Sequence, residues 1–422
     1  MHSKSHWDWQ PGKRIVGSVR CQTDHKWQEE LYAAPSGESM AAVVRLEDDS
    51  FTMSVNGEPW DFTCDKLWYP RYSPDGRLTA LAQVDGEWTM AVDGEVWPDT
   101  FAYLWDTRFS TDGSTIAATC QQDGQYGMVA DGTAWENLYE NASNTTISPD
   151  GTKTAAVIQT VNMKPADLAA FRAGVYTVAI NGETWAETFM NAWTPIFSPD
   201  SARVAAQLRL TLYDYTIAVD GEPWKRLFQC AWEPCFNPAS GAVVAPVRVA
   251  GQWGMAQDGE ILWEPRFAQC WHQHFSADGR TLAAIVATGF GAFTVAVNGV
   301  TWNVSLPVIT DLVVSADGAT VAALGSVFNQ DFCVLVNGKT WADRYDMAWK
   351  PVISGSDVAL KVRRGKKHGY VLNGKNFPKW YDQAWEPVFS PDGKNLLLRV
   401  VEGEQMVRLV VPVADFEKGG GI

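Results

Sequence analysis

Asn-Gly or Asp-Gly, followed three or four residues later by tryptophan, returns along this chain at a nearly constant interval. The phrase reads VNGEPW to Trp60, VDGEVW to Trp97, ADGTAW to Trp135, INGETW to Trp185, VDGEPW to Trp224, QDGEILW to Trp263, VNGVTW to Trp302 and VNGKTW to Trp341, with LNGKNF to Phe377 as a ninth copy. Its glycines, Gly57, Gly94, Gly132, Gly182, Gly221, Gly259, Gly299, Gly338 and Gly374, are separated by 37, 38, 50, 39, 38, 40, 39 and 36 residues. One unit of about 40 residues therefore repeats with a single insertion, and that is the length of a four-stranded propeller blade. Asn-Gly and Asp-Gly supply the positive φ angles of a two-residue hairpin turn, so each copy marks a reversal between antiparallel strands. A second phrase lies between copies, as in WYPRYSPDG from Trp68 and WEPVFSPDG from Trp385. Its Pro presets one φ, its Asp bonds the local backbone and its Gly takes the left-handed position, which makes it a turn as well.

One unit lays out as a first strand from Trp68 to Ser73, a second from Leu78 to Val84, a third from Thr89 to Val92 and a fourth from Glu95 to Phe101. The run LTALAQV has the apolar and small residues of a strand covered on both faces. First strands start near Glu29, Trp68, Trp105, Ser143, Trp193, Trp232, Trp271, Thr310, Trp349 and Trp385. The expected fold is all-β, a β-propeller of ten blades over residues 14–413, with tails at 1–13 and 414–422. The last unit runs out after a third strand at Met406 to Val411, whereas Arg14 to Cys21 reads as a spare strand before the first complete unit. Lending that strand to the last blade removes two open sheet edges. Ten blades exceed the 4–8 usual in one ring, so two fused five-bladed rings stand as the alternative.

Units centred on Ser-Pro-Asp-Gly resemble the WD-repeat and PD-repeat propeller families, a resemblance that implies fold and leaves function open. Of the 21 tryptophans, eight follow the Asn/Asp-Gly turn and seven open the next first strand. With phrases such as AWEPVFSPDG from Ala384 and VAINGETW from Val178, the chain also resembles the tryptophan-rich D subunits (TmcD) of the Tmc transmembrane redox complexes of sulfate-reducing bacteria. That resemblance implies a non-catalytic scaffold subunit without a redox centre of its own. It also implies protein partners, namely the cytoplasmic iron-sulfur subunit and the membrane cytochrome b of an electron-transfer complex that includes a periplasmic multihaem cytochrome.

A net charge of −15, from 34 basic and 49 acidic residues, opposes binding to nucleic acid or to bare anionic membrane. The N-terminal MHSKSHWDWQPGKRIVG has no apolar signal-peptide core, and no stretch is apolar for the length of a membrane span. The expected location is the cytoplasm, with peripheral membrane association through partners. The seven cysteines form no Cys-x-x-Cys pair and no haem or ferredoxin spacing, the pattern of buried, reduced thiols. Cys270, His272 and His274 alternate and so are expected to share one face of a strand. They are the best metal candidate, but nothing elsewhere in the repeat matches them, and no metal or other cofactor is expected.

An enzyme is not expected either. Asp-Gly-Glu-x-Trp looks somewhat like the docking motif of quinoprotein dehydrogenases, which are typically eight-bladed, exported and calcium-dependent, whereas this sequence reads as ten units without an export signal. Asp75, Asp112, Asp150, Asp200, Asp278, Asp317 and Asp392 all fall in Ser-Pro-Asp-Gly-type turns, which accounts for them without catalysis. A ligand-binding propeller or a free-standing interaction propeller remain as alternatives.

Partner contacts are expected where the repeat varies, in the loops between second and third strands. The fourth unit carries its insertion there, NMKPADLAAFRAG from Asn162, with Lys164 and a helical core placing Leu168 and Phe171 at i, i+3. The ninth carries VRRGKKHGY, a basic cluster of Arg363, Arg364, Lys366, Lys367 and His368 in an acidic chain. Repetition of tryptophan at equivalent positions is expected to serve packing between blades. The ends, Met1 to Pro11 and Glu417 to Ile422, are expected to be mobile unless a partner orders them.

Overall fold

A computed structural model describes residues 4–163, 167–328 and 331–421. The protein is a β-propeller of ten antiparallel blades, each a four-stranded sheet or a four-stranded path with its first strand broken in two. The blades fall into two compact units of five, one built on Asp61–Arg266 with Asp48–Thr52, the other on Phe267–Ile422 with Ser3–Glu47 and Met53–Trp60.

The second blade shows the plan: Lys66–Tyr72, Leu78–Val84, Glu87–Val92 and Glu95–Val96, each paired with the next. Its fourth strand is shorter than expected. After Val96 the chain leaves the ladder and returns only at one bridge, Trp88 to Phe101, and seven other blades repeat this single bridge. Tryptophan takes over where the ladder stops: the Trp97 amide donates to Met90 O (2.9 Å). An apolar residue four positions after the tryptophan, such as Phe101, Phe189 or Phe228, makes the returning bridge.

The Asn/Asp of the turn does more than accept a positive φ. In every copy its Oδ1 accepts the backbone N–H that opens the second strand, from Met40 N to Asn56 (2.9 Å) through Leu78 N to Asp93 (2.8 Å) to Val358 N to Asn373 (2.9 Å). Only the acceptor oxygen is common to Asn and Asp, so the two alternate freely at this position. The following glycine lies against the tryptophan of the preceding blade at Gly132, Gly182, Gly221, Gly259, Gly338 and Gly374. A Cβ on Gly221 would meet Trp185 at 3.3 Å, and one on Gly338 would meet Trp302 at 3.2 Å. Trp135, Trp185 and Trp224 are buried accordingly, so these tryptophans do pack blade on blade. The Ser-Pro-Asp-Gly-type turns are braced from within and from the neighbouring blade: Ser315 Oγ donates to Asp317 Oδ1 (2.6 Å), which also accepts Ala319 N (3.1 Å), and Gly318 O accepts Thr281 Oγ1 (3.4 Å).

The N-terminal strand closes the last blade, as expected. Gly12–Ser18 runs antiparallel to Gln405–Pro412, pairing Arg14 with Arg408, with a bulge between Ile15 and Gly17. Two buried arginines reinforce the seam. Arg399 and Arg408 face each other across the second and third strands. Arg399 occupies the core position that holds Leu81, Ile285 or Leu324 in other blades. It donates to Ala34 O (2.9 Å) and Glu386 O (2.7 Å), while Arg408 donates to Ser36 O (3.0 Å) and to Asp8 O and pairs with Glu38 (3.1 Å). The last blade thus supplies donors to Ala34 O and Ser36 O, in the turn that follows the first blade's interrupted first strand, His25–Gln28 and Tyr32–Ala33.

The described residues near both ends carry short helical turns. Lys4–His6 forms a turn of 3-10 helix, followed by stacked Trp7 and Trp9. Val413–Gly421 is 3-10 helical, with Phe416 buried against Phe377 (5.1 Å) in the core of the last blade and Glu417 paired with Lys375.

Candidate functional site

Where the second and third strands need only reverse direction, a left-handed pair suffices: Asp85-Gly86, Asp123-Gly124 and Ala250-Gly251. Other blades place aromatic side chains on this connection, which is longer in the fifth and eighth blades and still two residues, Phe290-Gly291, in the seventh. Phe290 in the seventh blade is 109% exposed, Phe328 in the eighth 82% and Tyr213 in the fifth 79%. Tyr213 sits on a rigid support, because Thr211 Oγ1 donates to Asp214 Oδ2 (2.6 Å) and accepts the Tyr213 and Asp214 amides. None of these three stood out in the sequence. Their signal is an aromatic residue between turn formers, as in Gly-Phe-Gly at 289–291, where a strand pattern has already ended.

The fourth-blade insertion forms a six-residue helix, Leu168–Ala173, capped by Asp167, whose side chain accepts Ala170 N (2.9 Å). Leu168 is 63% exposed and Phe171 half-buried; Lys164 lies outside the described residues. In the ninth blade the basic cluster occupies the equivalent loop, on Asp357–Arg364 and Lys367–Leu372. Much of its charge is already matched. Arg364 pairs with Asp343 (3.0 Å) and packs over Tyr345 and Trp380, Lys367 pairs with Asp382 (2.5 Å), and Asp346 accepts the Gly365 amide. Arg363 is half-buried, Lys366 is exposed, and His368 is drawn in beside Trp349 (5.5 Å). Burial, with Lys361 and Arg363 nearby, holds the His368 imidazole below its usual pKa.

The first strands carry a second aromatic layer. Trp68 meets Trp88 at 5.0 Å, Trp193 meets Tyr215 at 6.3 Å, Trp232 meets Trp253 at 5.7 Å and Trp271 meets Phe293 at 5.4 Å, each partner coming from the third strand of the same blade. Trp68 and Trp232 nonetheless remain about half exposed. Directly after the tryptophan the strand bulges: Tyr69, Thr194 and His272 have φ of 55°, 47° and 51°.

That bulge overturns the expected sharing of a face by Cys270, His272 and His274. Cys270 pairs with Val286, but the extra residue brings His274 opposite Ala283, on the face of Trp271 and opposite to Cys270. Cys270 is buried, its thiol pushed up to about 12 by desolvation, while both histidines are exposed. Among the described residues no group of three or more His, Cys, Asp or Glu is placed to hold a metal. All seven cysteines are free thiols.

Between the fifth and sixth blades the layer opens into a cavity of about 410 Å³, lined by Trp193, Gln207, Tyr215, Trp232 and Glu233. Among the described residues no helix is long and apolar enough to cross a membrane.

No protein-family model and no curated protein matches this chain. Solved structures are similar to it at low identity. A eukaryotic initiation factor has 12% identity and a TM-score of 0.45 over 92% of this chain and 94% of its own. A puromycin-hydrolyzing peptidase of Mycobacterium tuberculosis has 15% identity and a TM-score of 0.37 over 88% of this chain and 62% of its own. The Dos1 propeller has 10% identity and a TM-score of 0.35 over 96% and 94%. None of these likenesses bears on activity.

Proposed function

We propose that this protein is a non-catalytic interaction scaffold whose partners dock on the loops between second and third strands. The observation that carries this reading is the exposure of Phe290, Phe328 and Tyr213 at the tips of three such loops. Apolar rings in water contribute nothing to the strands that carry them, and aromatic side chains are the residues that anchor protein interfaces. The repeat meanwhile regenerates one packing solution blade after blade, so loops are free to differ without cost to the core. The resemblance to the tryptophan-rich D subunits refines the proposal to a cytoplasmic subunit, peripherally associated with the membrane, of an electron-transfer complex. Its partners there are the iron-sulfur subunit and the membrane cytochrome b.

Purification of the tagged protein from its native cell, with mass spectrometry and optical spectra of what accompanies it, tests both levels. Accompanying subunits with haem and iron-sulfur absorption support the refined reading; soluble partners alone support only the scaffold. Retention of every partner by a Tyr213→Ser, Phe290→Ser, Phe328→Ser variant with unchanged melting would sink the assignment to these loops.

A further inference from the structure

The cavity between the fifth and sixth blades has a counterpart that is already filled. Strand register aligns the two sites residue for residue. Trp193 pairs with Gln207, and Gln207 with Ile217; in the ninth blade the Trp349 amide donates to Lys361 O, and Lys361 pairs with Tyr370. Each following blade opens with the same four residues, Ala231 to Pro234 and Ala384 to Pro387. Lys361 therefore stands where Gln207 does, Trp349 where Trp193 does, and Glu386 where Glu233 does.

In the ninth blade the Lys361 side chain is nine-tenths buried. Its Nζ lies 4.0 Å from the Trp349 ring centroid and 3.2 Å from Glu386 Oε1. Burial lowers the pKa of this ammonium, opposed by Glu386. Burial also pushes the Glu386 carboxyl up, and Lys361, a backbone N–H and Arg399 together hold it below its usual value. The pair is a built ammonium site with an aromatic floor and a carboxylate counter-charge. In the fifth blade the same floor and carboxylate recur, but the side chain that would fill the space is the shorter, neutral Gln207.

We propose that the cavity lined by Trp193, Gln207, Trp232 and Glu233 binds a primary alkylammonium ion, seated as Lys361 Nζ is seated on Trp349. The face of a tryptophan attracts a cation, most strongly where water is excluded. A carboxylate has two oxygens and several acceptor positions, so Glu233 accepts an ammonium beside other donors. Arg209, which packs over Tyr215 at 5.5 Å, is directed to the carbonyls of Thr211 and Leu212. The chain's charge of −15 favours the approach of cations. The ion is a free amine or the side chain of a lysine, since both present the same group.

Tryptophan fluorescence and calorimetric titration with n-butylammonium chloride, with n-butanol as the neutral isostere, test the site. Saturable binding of butylammonium is expected, with butanol at least about tenfold weaker. Gln207→Lys, which supplies the missing internal ammonium, should weaken butylammonium binding at least about tenfold while melting at or above the wild-type temperature. Should that variant fail to fold, Glu233→Gln provides the second reading, again with a loss of about tenfold. N-acetyl-lysine methylamide separates the sources: binding by it admits lysine side chains, and binding by butylammonium alone restricts the site to free amines. Absence of saturable butylammonium binding, equal binding of butanol, or wild-type affinity in folded Gln207→Lys overturns the proposal.

Discussion

Replacing Arg399 by methionine isolates what holds the two ends of the chain together. The guanidinium is buried and satisfies two carbonyls at good distance, Ala34 O at 2.9 Å and Glu386 O at 2.7 Å, with Ala33 O more distant at 3.5 Å. Methionine fills similar volume but donates nothing, so the Ala34 and Glu386 carbonyls lose their partner, at about 1–3 kcal/mol for each group left unsatisfied in the interior. Against this stands relief from burying a charge whose Nε has no partner. Such relief often makes apolar replacement of buried ions neutral, but here the abandoned partners are backbone carbonyls that cannot be replaced in turn. The net expectation is a loss of about 2–4 kcal/mol. Ile285 occupies the same position in the seventh blade, and Ile285→Met should cost less than about 1.5 kcal/mol, because shape changes and hydrogen bonding does not. Urea unfolding of the two variants gives the comparison, and limited proteolysis locates the damage. Cleavage should rise first around Ala33 and Ala34, whose carbonyls Arg399 holds. Equal losses in Arg399→Met and Ile285→Met, with no new cleavage there, would refute the reasoning.

Three further outcomes follow from the repeat. Asp131→Asn keeps the oxygen that accepts Ile116 N at 2.9 Å and should shift the urea midpoint little, whereas Asp131→Ala loses both the acceptor and a residue tolerant of φ 44°, at about 1–3 kcal/mol; indistinguishable midpoints would show that the turn needs no acceptor. The carboxyls of Asp150, Asp200, Asp278, Asp317 and Asp392 are held below their usual range, first by the serine hydroxyl of each turn and then by backbone N–H groups. A depressed folded pKa contributes stability that is complete above the unfolded value near 4 and is lost as pH falls through the folded value, so the melting temperature should drop below about pH 4, and a flat profile down to pH 3 would contradict this. Burial pushes the thiols of Cys64, Cys120 and Cys270 up to about 12, 11 and 12, so iodoacetamide at pH 8 should leave these three unmodified until urea unfolds the chain; peptide mass spectrometry reads the result.

The sequence made the architecture legible because its turns are chemically specific. Asn-Gly, Asp-Gly and Ser-Pro-Asp-Gly each dictate a backbone geometry, and their spacing counts the blades and exposes the missing strand that Gly12–Ser18 supplies. Features that depend on register were not legible. The bulge after Trp271 arises from one extra residue in a pairing that alternation alone cannot reveal, and it moves His274 to the face opposite Cys270. Lys361, Arg399 and Arg408 read as polar interruptions of apolar strands, and only their acceptors on neighbouring chain segments explain why charge is tolerated there. The fourth-blade insertion and the ninth-blade basic hairpin were legible as departures from the repeat. The loops that carry Tyr213, Phe290 and Phe328 were not, because a ring in water is told from a ring in a strand only once the strand ends are fixed.

The most direct test of the scaffold reading is site-specific photo-crosslinking in the native cell. A photoreactive phenylalanine at Phe290 or Phe328 should yield a covalent adduct with a partner subunit, and the same group at exposed Lys394, beside the Asp392 turn, should not. Adducts from Lys394 with none from Phe290 or Phe328 would contradict the account and place the partner on the turns that every blade shares.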